Sequence, residues 1–496
     1  MNTQHKFFVS TSAGSGKTHA AIEYIKARPD ESFLYISPTQ QLCNQSYLLL
    51  RKAGRECREP IISDYTANVT AQALSALLSP IKSDGDCIVL STKTFIAISS
   101  ELKDKEIDYT VILDETFEPA TFTQVNLGRN VHRERNLANF TRLFHICPNN
   151  GPLTVRNGMM EDARLAAKGD FSTSGDVPKS YVDLCQLIVD EANHVEITTD
   201  IDELLALGKG AIQTASSIRP DVFQGFKKLI FLSALFEKTM LYQLWTIHYG
   251  EEFKVDDDLK SMITYNTHTD YKGTLSIGYV LHPDDNLSKH TLDKGFVDGG
   301  KKPQASKTVW AEALRQTVEY FDGKDFLLHL NNDRVPSQSS VSRQVVSDNS
   351  NIKLLAGDSR GDNSYQNTDC ILSLSAQNPT NAQADWLSKR LQVSKNEVYQ
   401  MSRIHSVYQA ICRTSIRDRS CTRDKVFIVG SEADANFLLD LFKGSKALGQ
   451  ITDLQSTKAL GKVNKKPKVG KLSERAGFDD WRARIDAANK QLNRSK

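Results

Sequence analysis

The stretch "STSAGSGKTHA", Ser10 to Ala20, decides how the rest of this chain is read. Just before and into it, "KFFVST" is a short apolar run of β-forming residues. At its end, "THAAIEYIKAR" carries Ala20, Ala21, Tyr24 and Ile25 at helical spacing. In a strand–glycine loop–helix unit, backbone N–H groups curl around a phosphate and the helix N-terminus faces the anion. Gly14 and Gly16 permit the curl, Lys17 reaches toward β- and γ-phosphates, and the Thr18 hydroxyl suits Mg²⁺. The loop read as nucleotide-binding comprises Ser12, Ala13, Gly14, Ser15, Gly16, Lys17, Thr18 and His19. Thr11 departs from the signature G-x-x-x-x-G-K-[ST] at its first glycine, the position least involved in the chemistry. A plain glycine-rich turn is the competing reading, and the flanking strand and helix weigh against it.

A second element follows about 97 residues after Lys17. "YTVILDETFEP", Tyr109 to Pro119, is an apolar strand ending in Asp114 and Glu115. A carboxylate at a strand tip beside a phosphate loop holds the Mg²⁺ hydration shell, which makes Thr18 and Asp114 the metal pair. The adjacent Glu115 can orient or deprotonate an attacking water. Between the two elements, "SFLYISPTQQL" and "DCIVLSTKTF" are strands that end in small hydroxyl residues before a helix. Pro38, Thr39 and Thr92 then fall on the sheet edge where ligands of open α/β sheets sit, and they suit nucleic-acid phosphates. Each could equally be a helix cap.

Composition sets wide limits. The 496 residues suggest about three domains, and a net charge of +2 names no partner. From Lys458 to Lys496, twelve Lys/Arg face four Asp/Glu, a basic tail on a mildly acidic body. The eight cysteines form no CxxC pair, and the histidines show no ligand spacing, so reduced thiols and no structural zinc are expected. No apolar run approaches membrane-spanning length, and the N-terminus lacks a leader pattern. The expectation is a soluble protein of the cytoplasm, with no membrane partner.

The segments "TSAGSGKT", "SPTQQL", "LSTKTF", "ILDETF" and "FLSALFE" occur in the order of motifs I, Ia, Ib, II and III of superfamily 1 and 2 helicases. "GKDFLLHLNN" resembles motif IV, "LLAGDSRGDNSYQNTDCILSL" motif V, and "YQAICRTSIRD" motif VI. The chain most resembles DEAD-like superfamily 2 helicases of phages and mobile elements. This resemblance implies ATP and Mg²⁺ as cofactors and DNA, single-stranded or tailed duplex, or RNA as partner. It implies a role in DNA replication or repair in a bacterial or phage-infected host cytosol. It adds Gly361 and Asn363 in the motif V turn to the nucleotide set, and Ser233 and Ala234 as the coupling pair. Gln409, Arg413 and Arg417 fall at i, i+4 and i+8 of a helical segment and so share one face. An arginine crossing an interdomain cleft can neutralise charge on the transferring phosphoryl group. Cys412 replaces the usual glycine and the last arginine comes one residue late, so either can serve, with Arg413 placed ahead.

The expected fold is α/β, with two tandem RecA-like domains built on parallel sheets. Residues 1–245 form the first, with a mostly helical insertion at about 120–222; 246–272 link it to the second, 273–442. Residues 443–496 supply a basic linker and an amphipathic helical tail, and the tail or the insertion could dock a protein partner. The expected function is a nucleic-acid-dependent ATPase, a helicase or translocase. The rivals are a duplex translocase or nucleoprotein remodeller that separates no strands, and a non-motor P-loop protein.

Overall fold

The computed structural model describes residues 6–60, 67–79, 85–126, 131–146, 152–170, 179–198, 211–294, 308–331, 334, 347–355 and 365–457. The chain opens with β1 (Lys6–Thr11), β2 (Phe33–Ser37), β3 (Cys87–Ser91) and β4 (Ile107–Asp114). Helices Lys17–Lys26, Gln40–Lys52, Ala67–Leu78 and Thr92–Leu102 connect them. Next come β5 (Ala120–Asn126), β6 (Phe144–Ile146), β7 (Leu153–Val155), β8 (Asn193–Ile197) and β9 (Ala211–Ile218). After these lie β10 (Phe226–Ala234) and β11 (Phe253–Val255). The second half contributes β12 (Leu275–Tyr279), β13 (Phe326–His329), β14 (Ile352–Leu355), β15 (Cys370–Ser373), β16 (Lys425–Val429) and β17 (Lys446–Gln450).

Two six-stranded sheets result, ordered β11-β1-β10-β4-β2-β3 and β14-β13-β15-β16-β12-β17. Every pairing within them is parallel. Strands covered on both faces need apolar residues throughout, and β2, Phe-Leu-Tyr-Ile-Ser, is buried at all five positions. Alternation divides them between two cores: Leu34 and Ile36 pack with Phe95 and Trp245, whereas Phe33 and Tyr35 pack with Ala21 and Cys43. The register then fixes the working edge. Thr11 lies opposite Ala234, and Leu232 opposite Asp114, so the start of the phosphate loop, Ser233–Ala234 and the acidic strand end share one rim. Both sheets match the tandem α/β expectation.

Three segments differ from the sequence reading. β11 lies in the expected linker yet pairs with β1, and the fully buried Trp245 seals the core beneath it, so the first sheet extends past residue 245. β17 likewise extends the second sheet past 442. The stretch between β4 and β10 is strand as well as helix: β5, β9 and β8 form an antiparallel sheet beside helices Val131–Leu143, Met160–Ala167 and Lys179–Val189. The basic tail from 458 onward lies outside the described residues.

The inserted sheet does not stand apart. Ala215 joins Leu244, Ala384, Trp386, Leu387 and Leu391 in one apolar cluster, and Phe122 meets Trp386 edge-on at 5.6 Å. Glu196, buried on β8, accepts from Trp386 Nε1 at 2.6 Å, lies 2.9 Å from His194 Nε2, and pairs with Arg390. Burial alone would raise its pKa, but hydrogen bonds from His194, Arg390 and Trp386 overcome this and hold it at about 2. A carboxylate with a depressed folded pKa stabilises above its unfolded range and loses that contribution as pH falls through about 2. Glu196→Ala is therefore expected to cost about 3 kcal/mol by leaving Arg390 and Trp386 unpaired. Urea unfolding of Glu196→Gln beside the native chain checks the pH part. The gap between the two midpoints should shrink from pH 7 toward pH 2.

Candidate nucleotide site

The phosphate loop is held open by its glycines. Gly14 (φ +78°) and Gly16 (φ +89°) adopt the left-handed conformation, and Gly16 caps the following helix. The departure at Thr11 has a structural use, because its Oγ1 meets Ser15 Oγ at 2.8 Å and closes the loop at its base. Lys17 is buried and donates from Nζ to the Ser12 carbonyl at 2.9 Å. Burial lowers its pKa, which Glu115 and Asp114 oppose and Arg417 reinforces.

Asp114 Oδ2 accepts from Thr18 Oγ1 at 2.8 Å and from the Tyr35 hydroxyl at 2.7 Å. Burial raises the Asp114 pKa, and so does Glu115; Tyr35, Thr18 and Lys17 act against them. Glu115 sits at φ +91°, a conformation costly for a residue with a side chain, while its N–H donates to Leu232 O at 2.9 Å on the neighbouring strand. The strand end thus turns sharply and carries Glu115 to the cleft.

A cavity of about 300 Å³ joins these groups to the second half. Ala13, Gly14, Gly16, Lys17, Thr18, His19, Asp114, Glu115, Gln409, Arg413 and Arg417 all line it. The expected shared helical face is corrected, because the helix ends at Ile411 and Ser415–Arg417 form a separate 3-10 turn. Ser415 N–H donates to the Thr368 carbonyl at 2.9 Å, which draws the chain out of the helix. The arginines nevertheless reach the same cavity, and Arg417 lies across Gly14. Burial lowers the Arg417 pKa, and nearby Arg413 adds to the effect.

The remaining expected residues fall elsewhere. Ser12 Oγ is used by the Thr267 N–H at 2.8 Å, and Ser15 by Thr11. Ser233 is buried and Ala234 packs among second-half core residues. Thr39 caps the Gln40–Lys52 helix by accepting from Leu42 N, and Thr92 Oγ1 donates to Ser37 O at 3.3 Å. Pro38, Thr39 and Thr92 lie where β2 and β3 end and are not among the residues lining the cavity, although Leu42, capped by Thr39, is. Gly361 and Asn363 lie outside the described residues.

Sequence reasoning missed Tyr35 and a contact from the second half to the loop. Tyr408 OH accepts from Ala13 N at 2.8 Å and lies 2.6 Å from His268 Nε2, while Thr267 Oγ1 donates to Ala13 O at 3.0 Å. Tyr408 directly precedes Gln409 in the arginine motif, the one signal available. Burial and the positive charge of Lys17 lower the His268 pKa to about 4, so this ring is neutral.

Residues 1–118 match the family described as DEAD/DEAH box helicase. The match takes in both the phosphate loop and the acidic strand end. No curated protein matches the chain. Among solved structures, S. tokodaii Xpd4 is similar at 10% identity over 89% of this chain and 96% of that one, TM-score 0.47. S. cerevisiae Dbp5 bound to RNA and ADP BeF3 is similar at 11% identity over 90% and 86%, TM-score 0.34. Mycobacterium smegmatis helicase Lhr bound to ssDNA and AMP-PNP is similar at 11% identity over 87% and 44%, TM-score 0.35.

At Gly14 an added Cβ would come 2.9 Å from Arg417 Cγ, at a φ that L-residues resist. Gly14→Ala should cost about 1–2 kcal/mol in the loop, roughly tenfold in nucleotide affinity. Titration with a fluorescent ATP analogue measures it, and unchanged affinity contradicts the close approach.

Proposed function

We propose that the chain is an ATP-dependent helicase or translocase that moves along one strand of DNA or RNA. The observation that carries this reading is the shared cavity, in which Lys17, Thr18, Asp114 and Glu115 face Gln409, Arg413 and Arg417 across the two halves. Arginines brought to the phosphates from a second half couple its position to the state of the nucleotide.

In this reading Lys17 and the loop N–H groups hold the β- and γ-phosphates. Thr18 Oγ1 and Asp114 Oδ2, oxygen donors 2.8 Å apart, fit a hard divalent cation and would hold Mg²⁺. A cation held there would supply positive charge to the phosphate chain. Glu115 orients the attacking water and accepts its proton. Gln409 positions that water from the opposite wall, and Arg413 and Arg417 neutralise charge on the transferring phosphoryl group.

Ser233–Ala234 relays the change, because Ala234 is packed against the second half while β10 runs between β1 and β4. The strand lies along the β2–β3 edge, where Pro38, Thr39 and Thr92 start two helices whose first-turn donors face phosphates. Contacts of that kind read little sequence.

Steady-state ATPase rates with single-stranded DNA, duplex DNA and RNA at one fixed salt concentration test the reading, since phosphate-driven affinity falls steeply with salt. Stimulation by a nucleic acid is expected. Arg413→Ala or Arg417→Ala should lower kcat by about 10³-fold or more, and Lys17→Ala should abolish turnover. A Lys17→Ala variant with native activity, or turnover indifferent to every nucleic acid, would sink the proposal.

A further inference from the structure

A second cavity, of about 870 Å³, adjoins the nucleotide cavity and shares Glu115 and Gln409 with it. Its walls come from both halves and from the start of the inserted sheet at Ala120 and Phe122. Three features set its chemistry. First, the Lys395–Ile411 helix, otherwise packed in the second core, turns Ser402, Ser406 and Gln409 toward the space. Ser406 Oγ and Gln409 Nε2 are buried and have no hydrogen-bond partner among the described residues. Second, Lys238 from the first half and Lys289 from the second both line the chamber. Third, the residues at the junction with the nucleotide cavity are the ones assigned above to the attacking water.

Geometry links these features. In an in-line displacement, water oxygen bonds to the γ-phosphorus on the side away from ADP, and the bond to the bridging oxygen breaks with its electron pair leaving on ADP. The water proton passes to Glu115, and the inverted phosphate ends up displaced toward the water side. That side opens into the larger chamber. The opposite side would be taken by ADP and the loop, where Arg417 lies against Gly14.

We propose that the chamber is the exit route for inorganic phosphate, with Lys238 and Lys289 drawing the anion outward while ADP is still bound. This rests on the reading of the smaller cavity as an ATP-hydrolysing site. Glu115 and Glu118, which also line the space, keep it from trapping the anion.

The test separates bond cleavage from phosphate release in the full-length protein. Rapid quenching measures cleavage, and a fluorescent phosphate sensor measures free phosphate. One variant carries Lys238→Gln with Lys289→Gln; the other, Ser402→Phe, narrows the chamber. In each, cleavage in the first turnover should stay within about twofold of native while phosphate appearance slows about fivefold or more, leaving a burst. Added inorganic phosphate should also inhibit the lysine pair more weakly than the native chain. Phosphate that appears in step with cleavage in both variants overturns the route while the ATPase reading stands. A native protein that cleaves no ATP overturns the ATPase reading itself, and the route with it.

Discussion

The Ala13 amide donates to the phenol of Tyr408, a residue 395 positions later, and on that bond the two halves of the molecule meet. Ala13 belongs to the phosphate loop, yet its side chain lies in the second half's apolar core with Ile277, Phe427 and Val407. Thr267 grips the same turn from the segment between the sheets, at both Ser12 and Ala13. The loop's shape therefore depends on where the second half sits. Glycine at position 14 is part of the same constraint, since only a residue without a Cβ admits Arg417 so closely. Opening the cleft would break all these contacts together and leave Lys17 facing no arginine.

His268 fits this arrangement by staying neutral. With its pKa lowered to about 4 by burial and by Lys17, the ring adds no positive charge beside a loop built to receive an anion. It contributes a short contact to Tyr408 that fixes the phenol against the Ala13 amide. The lowered Lys17 and Arg417 values and the raised Asp114 value share one cause, which is a cleft dry enough to penalise charge of either sign. A phosphate chain with its cation would relieve both penalties at once. The site is thus electrostatically strained in a direction that the proposed substrate corrects.

Much of the first sheet was legible because its signals are local. β1, β2 and β3 are short, largely apolar runs, each followed by a helix start, and such units stack in parallel with little choice. The phosphate loop and Asp114–Glu115 were legible for the same reason. What escaped depends on partners distant in sequence. β5 pairs with β9 across some ninety residues, so the inserted stretch read as mostly helical. β11 has three residues and owes its existence to β1. The arginine motif read as one long helix, because nothing local reveals that the Thr368 carbonyl captures the Ser415 amide. Its side chains still converge, since the 3-10 turn brings Arg417 back over the loop that the helical count also aimed at.

The insertion then has a mechanical place in the fold. Through Glu196, Trp386 and Arg390 it fastens the first half to the helix Asn381–Leu391 of the second, across the larger chamber from the nucleotide cavity. The halves are thereby joined at two ends, by Tyr408 on the loop and by Glu196 on the inserted sheet. That carboxylate is buried and hydrogen-bonded on several sides, so the second contact is a buried polar one, as the Tyr408 contact to the loop is.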